Sequence, residues 1–257
     1  PGLLRRIESI IQTGLIELKD DFKIYWKKSP IAKLISGRDY LNPNIEIIVD
    51  DILEHNQTQK FIIFLEKWLK NKIDTILKSL VDLKDLKENN SSIKALAYQL
   101  YENNGVLERN KVTEYLKDLG QNERKVLREL GVKFGRYHIF LYKLIKPEAV
   151  SLRTLLWKNY YQKYFNLKPP TFGLNFLEDK KINNRNFMLL CGFEKFENIY
   201  VRIDILERLF VLIINSSSKE NSEIKLIPEM LNLLGCSKDN FKKLLQKMNY
   251  KIFEKEN

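Results

Sequence analysis

The chain has 257 residues, 44% of them hydrophobic, enough to bury one large core or two to three smaller ones. Gly and Pro are sparse while Leu, Ile, Lys, Glu and Asn abound, so the expected fold is mainly α with small β elements. The formal charge of +11 favours phosphate-bearing partners, and no apolar run approaches the roughly 20 residues of a membrane span, so no membrane partner is expected.

The opening stretch, Leu3 to Leu18, places Leu3, Leu4, Ile7, Ile10 and Ile11 at helical spacing ahead of Gly14. Phe22–Trp26, Ile31–Ile35 and Ile45–Val49 are short β-branched and aromatic runs separated by turn residues, which predicts a small antiparallel sheet. From Gln57 to Leu86 apolar residues recur every three to four positions, as in one long amphipathic helix with Trp68 packed along it. The Asn89–Ser92 patch breaks that helix and caps the next one, Ile93–Glu102. Shorter helices are expected near 111–119 and 122–130, the second closed by Gly131. Phe134–Leu141 reads as a strand, and Pro147 opens a helix running to about Tyr164.

Residues 168–173, Lys-Pro-Pro-Thr-Phe-Gly, form a linker signature. Beyond it come a helix at 185–191, a hairpin at 193–196 and 200–202, a helix at 203–214 and a polar loop from Asn215 to Ser222. The tail resembles a helix-turn-helix with flanking strands at 224–227 and 250–253, the winged-helix pattern: Pro228 opens its first helix, Gly235 breaks it and Ser237 caps the second. The implied subdomains are a β-containing unit at 1–54 with an N-terminal helix, a helical unit at 55–168, and an α+β unit at 174–257.

Charge is unevenly distributed. Residues 1–50 are nearly balanced, whereas residues 121–168 hold eleven Lys/Arg against three acids and so carry most of the excess. Aromatic residues interleave with these cations, including Phe134, Tyr137, Tyr142, Trp157, Tyr161 and Tyr164. Cations for phosphates and flat rings for bases are what single-strand binding requires, stacking contributing about 1–3 kcal/mol per base. The candidate nucleic-acid contacts are therefore Arg124, Lys125, Arg128, Lys133, Arg136, Lys143 and Lys146, with Tyr137 and His138 as stacking groups, and Lys242 and Lys243 on the tail helix. Gly131 and Gly135 bracket Val-Lys-Phe and permit tight turns or a close approach.

Enzyme signatures are missing. There is no GxxxxGK(S/T) phosphate loop, GxGxxG, HExxH, GxSxG or CxxC, so no catalytic residue and no cofactor is assigned to this chain. Asp204 and Glu207 sit one helical turn apart, but their neighbours Arg202 and Arg208 make a structural ion-pair network the simpler reading. Cys191, Cys236, His55 and His138 are too dispersed for a local metal motif, and the absence of a cysteine framework fits a reducing, cytoplasmic setting. Opening on Pro1, the chain reads as a processed or excised piece of a longer protein.

The segment Leu127–Leu141 resembles a signature from the carboxy-terminal half of bacterial helicases related to the mitochondrial degradosome ATP-dependent RNA helicase. Lys146-Pro-Glu-Ala149, Leu152–Trp157, Tyr200–Leu209 and Leu233–Ser237 extend the resemblance in order, over roughly residues 24–250. The resemblance implies a superfamily-two helicase whose motor domains, with ATP and Mg, precede this segment, and whose accessory region helps hold a single strand of RNA or DNA. It also implies the motor domains as partners, and an exoribonuclease in mitochondrial members. Two other readings stay open: a protein-interaction module docking through Trp157–Phe165, and a duplex-DNA binder using the tail helix-turn-helix.

Overall fold

The computed structural model describes residues 2–48, 54–217 and 223–253. The expected strand end at Val49, the loop beyond Ser217 and the side chains of Leu3 and Leu4 lie outside the described residues. The chain is mainly α with small antiparallel sheets. It divides into two compact units, one of Pro1–Lys78 with Ser151–Lys168, the other of Ser79–Val150 with Pro169–Asn257. Composition along the chain suggests three consecutive blocks, and it cannot register a unit assembled from separated segments.

In the first unit, α1 (Gly2–Thr13) buries Ile7 and Ile10. Beyond Gly14 the chain turns into β1 (Ile16–Leu18), β2 (Lys23–Trp26), β3 (Ser29–Asp39) and β4 (Asn42–Ile47), an antiparallel meander in sequence order. Ile24, Ala32, Leu34 and Ile45 are buried in this sheet, Ala32 despite its neighbour Ile31 also being buried, because a register irregularity between Ile24 and Tyr25 breaks the alternation. α2 (His55–Ile76) presents Phe61, Leu65, Leu69 and Ile73, one residue per turn, as its buried stripe and packs near β4. The predicted single helix to Leu86 breaks at Leu77, where the chain passes toward the second unit, and resumes as α3 (Lys78–Lys84).

In the second unit, Asn90 caps α4 (Ser91–Glu102) by accepting from the N–H groups of Ser92 and Ile93 at 2.9 and 3.2 Å. β5 (Val106–Glu108), which the sequence pattern did not signal, is followed by α5 (Thr113–Lys117) and α6 (Gln121–Glu129). Gly131, at φ +95°, then reverses the chain into β6 (Val132–Phe134). The expected single strand at 134–141 is instead a hairpin: β6, a turn at Gly135–Tyr137, and β7 (His138–Leu141), with strand order β5-β7-β6. β7 is central and all four of its residues are buried, while β6 is an edge strand.

Pro147 opens α7 (Pro147–Tyr160), which enters the first unit from Ser151 and is buried all round between Leu152 and Trp157. Its expected last turn is a 3-10 turn at Gln162–Tyr164. Back in the second unit, β8 (Phe176–Glu178), α8 (Arg185–Leu190), β9 (Phe193–Phe196) and β10 (Ile199–Arg202) build a sheet of order β8-β10-β9. α9 (Ile203–Ser216), α10 (Pro228–Leu234) and α11 (Lys238–Lys247) close it around a core that includes Leu206, Leu209, Met230, Leu234, Phe241 and Leu244.

Gly235 in the left-handed region ends α10, and Ser237 accepts from Asn240 N–H to start α11. The flanking strands do not form. Ile224 makes only an isolated bridge with Ser217, and the Tyr250 N–H donates to Leu245 O at 2.9 Å, closing α11 and tying Tyr250 to the core rather than to a sheet. No described helix is long and apolar enough to cross a membrane.

Candidate nucleic-acid interface

The basic segment is arranged around the edge strand β6. Successive strand residues face opposite sides, so Phe134 and Lys133 separate the cations into two groups. On one side the guanidinium groups of Arg124 and Arg128, one turn apart on α6, lie 5.4 and 5.5 Å from the Phe134 ring centroid. On the other, Lys133 and Lys146 lie 6.0 and 4.6 Å from the Tyr142 ring, and Lys146 also donates to the Tyr142 hydroxyl at 3.1 Å. At the end of the strand, Arg136 sits in the turn with its guanidinium 5.3 Å from the Phe210 ring of α9. Lys125 on α6 and Lys143 in the 3-10 turn after β7 are both exposed.

Six of these cations, Lys125, Arg128, Lys133, Arg136, Lys143 and Lys146, are exposed, and none forms an ion pair with a described acid. Some basic residues elsewhere are matched, as in Lys33–Glu46 at 3.2 Å, Lys70–Asp74 at 2.5 Å and Lys117–Glu114 at 2.7 Å.

Arg124 is a different case. Its guanidinium donates to the carbonyls of Leu119 and Leu116 at 3.2 and 2.8 Å, so it satisfies the carboxyl end of α5 and has less of its fork left for a phosphate. His138 does not fit the expected stacking role: it is 3% exposed, and its Nε2 lies 2.6 Å from Glu194 Oε2, so no ring face is open to a base. Tyr137 is half-buried, packed edge-on against Phe210 at 5.3 Å, with its hydroxyl 3.4 Å from that of Tyr250. Burial and that hydroxyl contact push its pKa well above the ordinary phenol value.

Lys242 is half-buried, while Lys243 lines an open polar cleft of about 590 Å³ with Lys180, Glu197, Asn198 and Lys247. Both lie on α11, apart in sequence and element from the β6 group.

The turn carrying Arg136 is fixed by a buried polar network that sequence reasoning missed. The Glu207 carboxylate, from α9, accepts from three consecutive backbone N–H groups, those of Arg136, Tyr137 at 2.8 Å and His138 at 3.0 Å, and lies 3.7 Å from His138 Nδ1. Gly135 makes room for it, because a side-chain carbon there would overlap the carboxylate. Glu194 receives His138 on one side and a forked pair of bonds from Arg185, both at 2.9 Å, on the other. Arg185 also reaches Glu108 on β5 at 2.7 Å, and Lys111 pairs with Glu108 at 2.9 Å.

Three cations thus face three carboxylates, and the set balances when His138 carries its proton. Burial pulls His138 down, but Glu194 and Glu207 outweigh it and hold its pKa above the usual imidazole value. Burial likewise pushes Glu194 up, yet His138 and Arg185 bring it to about 2. Glu207 is held below the ordinary carboxylate range for the same reason, burial being outweighed by His138 and the three amides.

Bonded partners in this network are up to 77 residues apart, so no local spacing could have joined them. Asp204 does pair with Arg202, at 2.6 Å, whereas Glu207 serves the turn rather than an ion pair with Arg208.

Among the described residues, no group of three or more His, Cys, Asp or Glu side chains could hold a metal ion. Compared with known protein families, curated proteins and solved structures, the chain has no match.

Proposed function

We propose that this chain binds single-stranded nucleic acid, as the carboxy-terminal accessory region of a superfamily-two helicase whose other domains supply the ATP-driven motor. The observation that supports strand binding is the group of six exposed cations without acidic partners on and beside the β6 hairpin, one of which, Arg136, sits in a turn that Glu207 holds. Unpaired cations gain most from phosphates, because no existing ion pair must be broken and counterions leave the polyanion on binding. The helicase context, including the exoribonuclease partnership of mitochondrial relatives, rests on the sequence resemblance alone.

The test is binding of the chain to labelled single-stranded RNA, single-stranded DNA and duplex DNA across a salt series, for the native sequence and for Arg128→Glu with Lys133→Glu. Single strands should bind best, and the double reversal should weaken binding and flatten its salt dependence. Equal affinity in the variant sinks the assignment.

A second reading has one observation in its favour: Val211 and Ile214 on α9 are 55% and 52% exposed, an apolar pair suited to docking on the motor domains or a nuclease. Tight binding to separately produced motor domains, with no affinity for RNA, would favour it. A winged-helix reader of duplex DNA has weaker support, since strands at 224–227 and 250–253 are not formed.

A further inference from the structure

A second cation-and-ring surface lies in the first unit, after α7. Trp157, buried at 6% exposure, is the base of a compact aromatic group: Tyr164 stacks on it at 4.9 Å and 13°, and Tyr161 leans on it at 5.0 Å and 50°. Tyr160 meets Tyr161 edge-on at 4.8 Å. These contacts fix the rings, yet Tyr161 remains 42% exposed, and Phe165, next in the chain, 58% exposed. Lys158 ties the segment back by donating to Leu167 O at 2.9 Å, and Lys163 lies 4.8 Å from the Tyr164 ring.

The charge around this group is one-sided. No Asp or Glu occurs between Glu148 and Glu178, while Lys158, Lys163 and Lys168 do, the fourth cation, Arg153, being fully buried. Protein-docking faces are rich in aromatic residues but depleted in lysine, whereas Lys163 and Lys168 are exposed beside these rings in sequence. A ring held in place before binding, with Lys163 beside the group and no carboxylate in its own stretch of chain, complements a ligand that is both anionic and flat-faced. Among macromolecules that is an unpaired nucleic-acid strand, whose bases offer π faces and whose phosphates meet the lysines.

We infer that Tyr161 and Phe165 seat bases of a single strand and that Lys163 and Lys168 contact its phosphates, a second binding surface built from residues other than those of the β6 group. The inference rests on the single-strand reading given above, but the residues of the two surfaces do not overlap, so each can fail alone. Because Trp157 and Tyr164 already hold Tyr161, little ordering opposes stacking on it.

The experiment uses the full chain and two probes, a labelled 15-nucleotide oligo(U) RNA and oligo(dT), read by fluorescence anisotropy over a salt series. Tyr161→Ala with Phe165→Ala should weaken binding about tenfold or more, whereas Tyr161→Phe should bind nearly as the native chain does. Lys163→Ala with Lys168→Ala should lower the slope of log affinity against log salt by roughly 1.4, two phosphates' worth for a single strand. This second variant does not depend on the first keeping its fold.

Arg128→Glu with Lys133→Glu is measured beside them. If it loses affinity while both platform variants bind as the native chain, the platform is overturned and the β6 assignment stands. If the platform variants lose affinity and the β6 variant does not, the reverse holds. No binding of either probe by the native chain, or platform variants impaired only in binding a protein partner, overturns the inference as well.

Discussion

Replacing Glu207 with Ala should cost the chain about 3 kcal/mol, through one backbone turn rather than through the core. The carboxylate accepts from three consecutive amides. The Arg136 N–H is exposed and can turn to water, so its loss adds little. The N–H groups of Tyr137 and His138 are partly buried, and a hydrogen bond to a charged acceptor contributes about 1.5 kcal/mol or more each. Together they set the figure, with the loss of one of the two carboxylates beside His138 adding to it. For a unit of this size, 3 kcal/mol corresponds to a fall of roughly 6–12 °C in Tm. Glu207→Gln keeps one acceptor oxygen without the charge and should lose about half as much. Thermal unfolding by circular dichroism measures both, and amide exchange should quicken at residues 136–138 specifically. A loss below about 1 kcal/mol for the alanine variant, or unchanged exchange there, would refute the claim that Glu207 holds the turn.

Other consequences concern pH and the division of labour among the arginines. A raised His138 pKa stabilises the fold fully below the unfolded value near 6.5, and this is lost as pH rises through the folded value; Glu194, lowered to about 2, stabilises above the unfolded value near 4.5 and is lost below it. Tm should therefore peak between about pH 5 and 6.5 and decline on both sides, the alkaline limb flattening in His138→Gln, where Glu108, Lys111, Arg185, Glu194 and Glu207 keep their charges. Arg124→Ala should destabilise by about 1–2 kcal/mol through the lost α5 carbonyl bonds, with little effect on the salt slope of RNA binding, while Arg128→Ala should do the opposite. Gly135→Ala should lower stability by about 2 kcal/mol, since its methyl group displaces the Glu207 carboxylate; unchanged unfolding in denaturant would contradict it.

Local signals carried the helices well wherever caps and periodicity agreed. Asn90, Pro147, Pro228 and Ser237 each start the helix that their residue type predicts, and Gly235 ends one. The failures are non-local. Nothing near Val106–Glu108 marks a strand, because its pairing partner is β7, whose paired residues lie 30 to 34 positions on. The run 134–141 looks continuous in sequence, yet Glu207 from α9 folds Gly135–Tyr137 into a turn. His138 looked available as a base stacker because a lone histidine among aromatics does not reveal that Glu194 and Glu207 enclose it. The concentration of cations at 121–168 was legible, but which of them are spent internally, as Arg124 is, depends on carbonyls that only the fold brings within reach.

The first unit leaves the chain at Lys78 and regains it at Ser151. On a ribosome emitting the chain from its amino end, its sheet and α2 would therefore wait for residues 151–168 before their core could close, while residues 79–150 emerge between them. Cuts at residues 54 or 168, natural as they look along the sequence, would leave fragments of different fates. A piece ending at 168 keeps both segments of the first unit, whereas a piece starting at 55 lacks its sheet. Halves severed at 54 should thus recover the first unit only when mixed, because mixing alone restores residues 151–168 to the amino-terminal sheet.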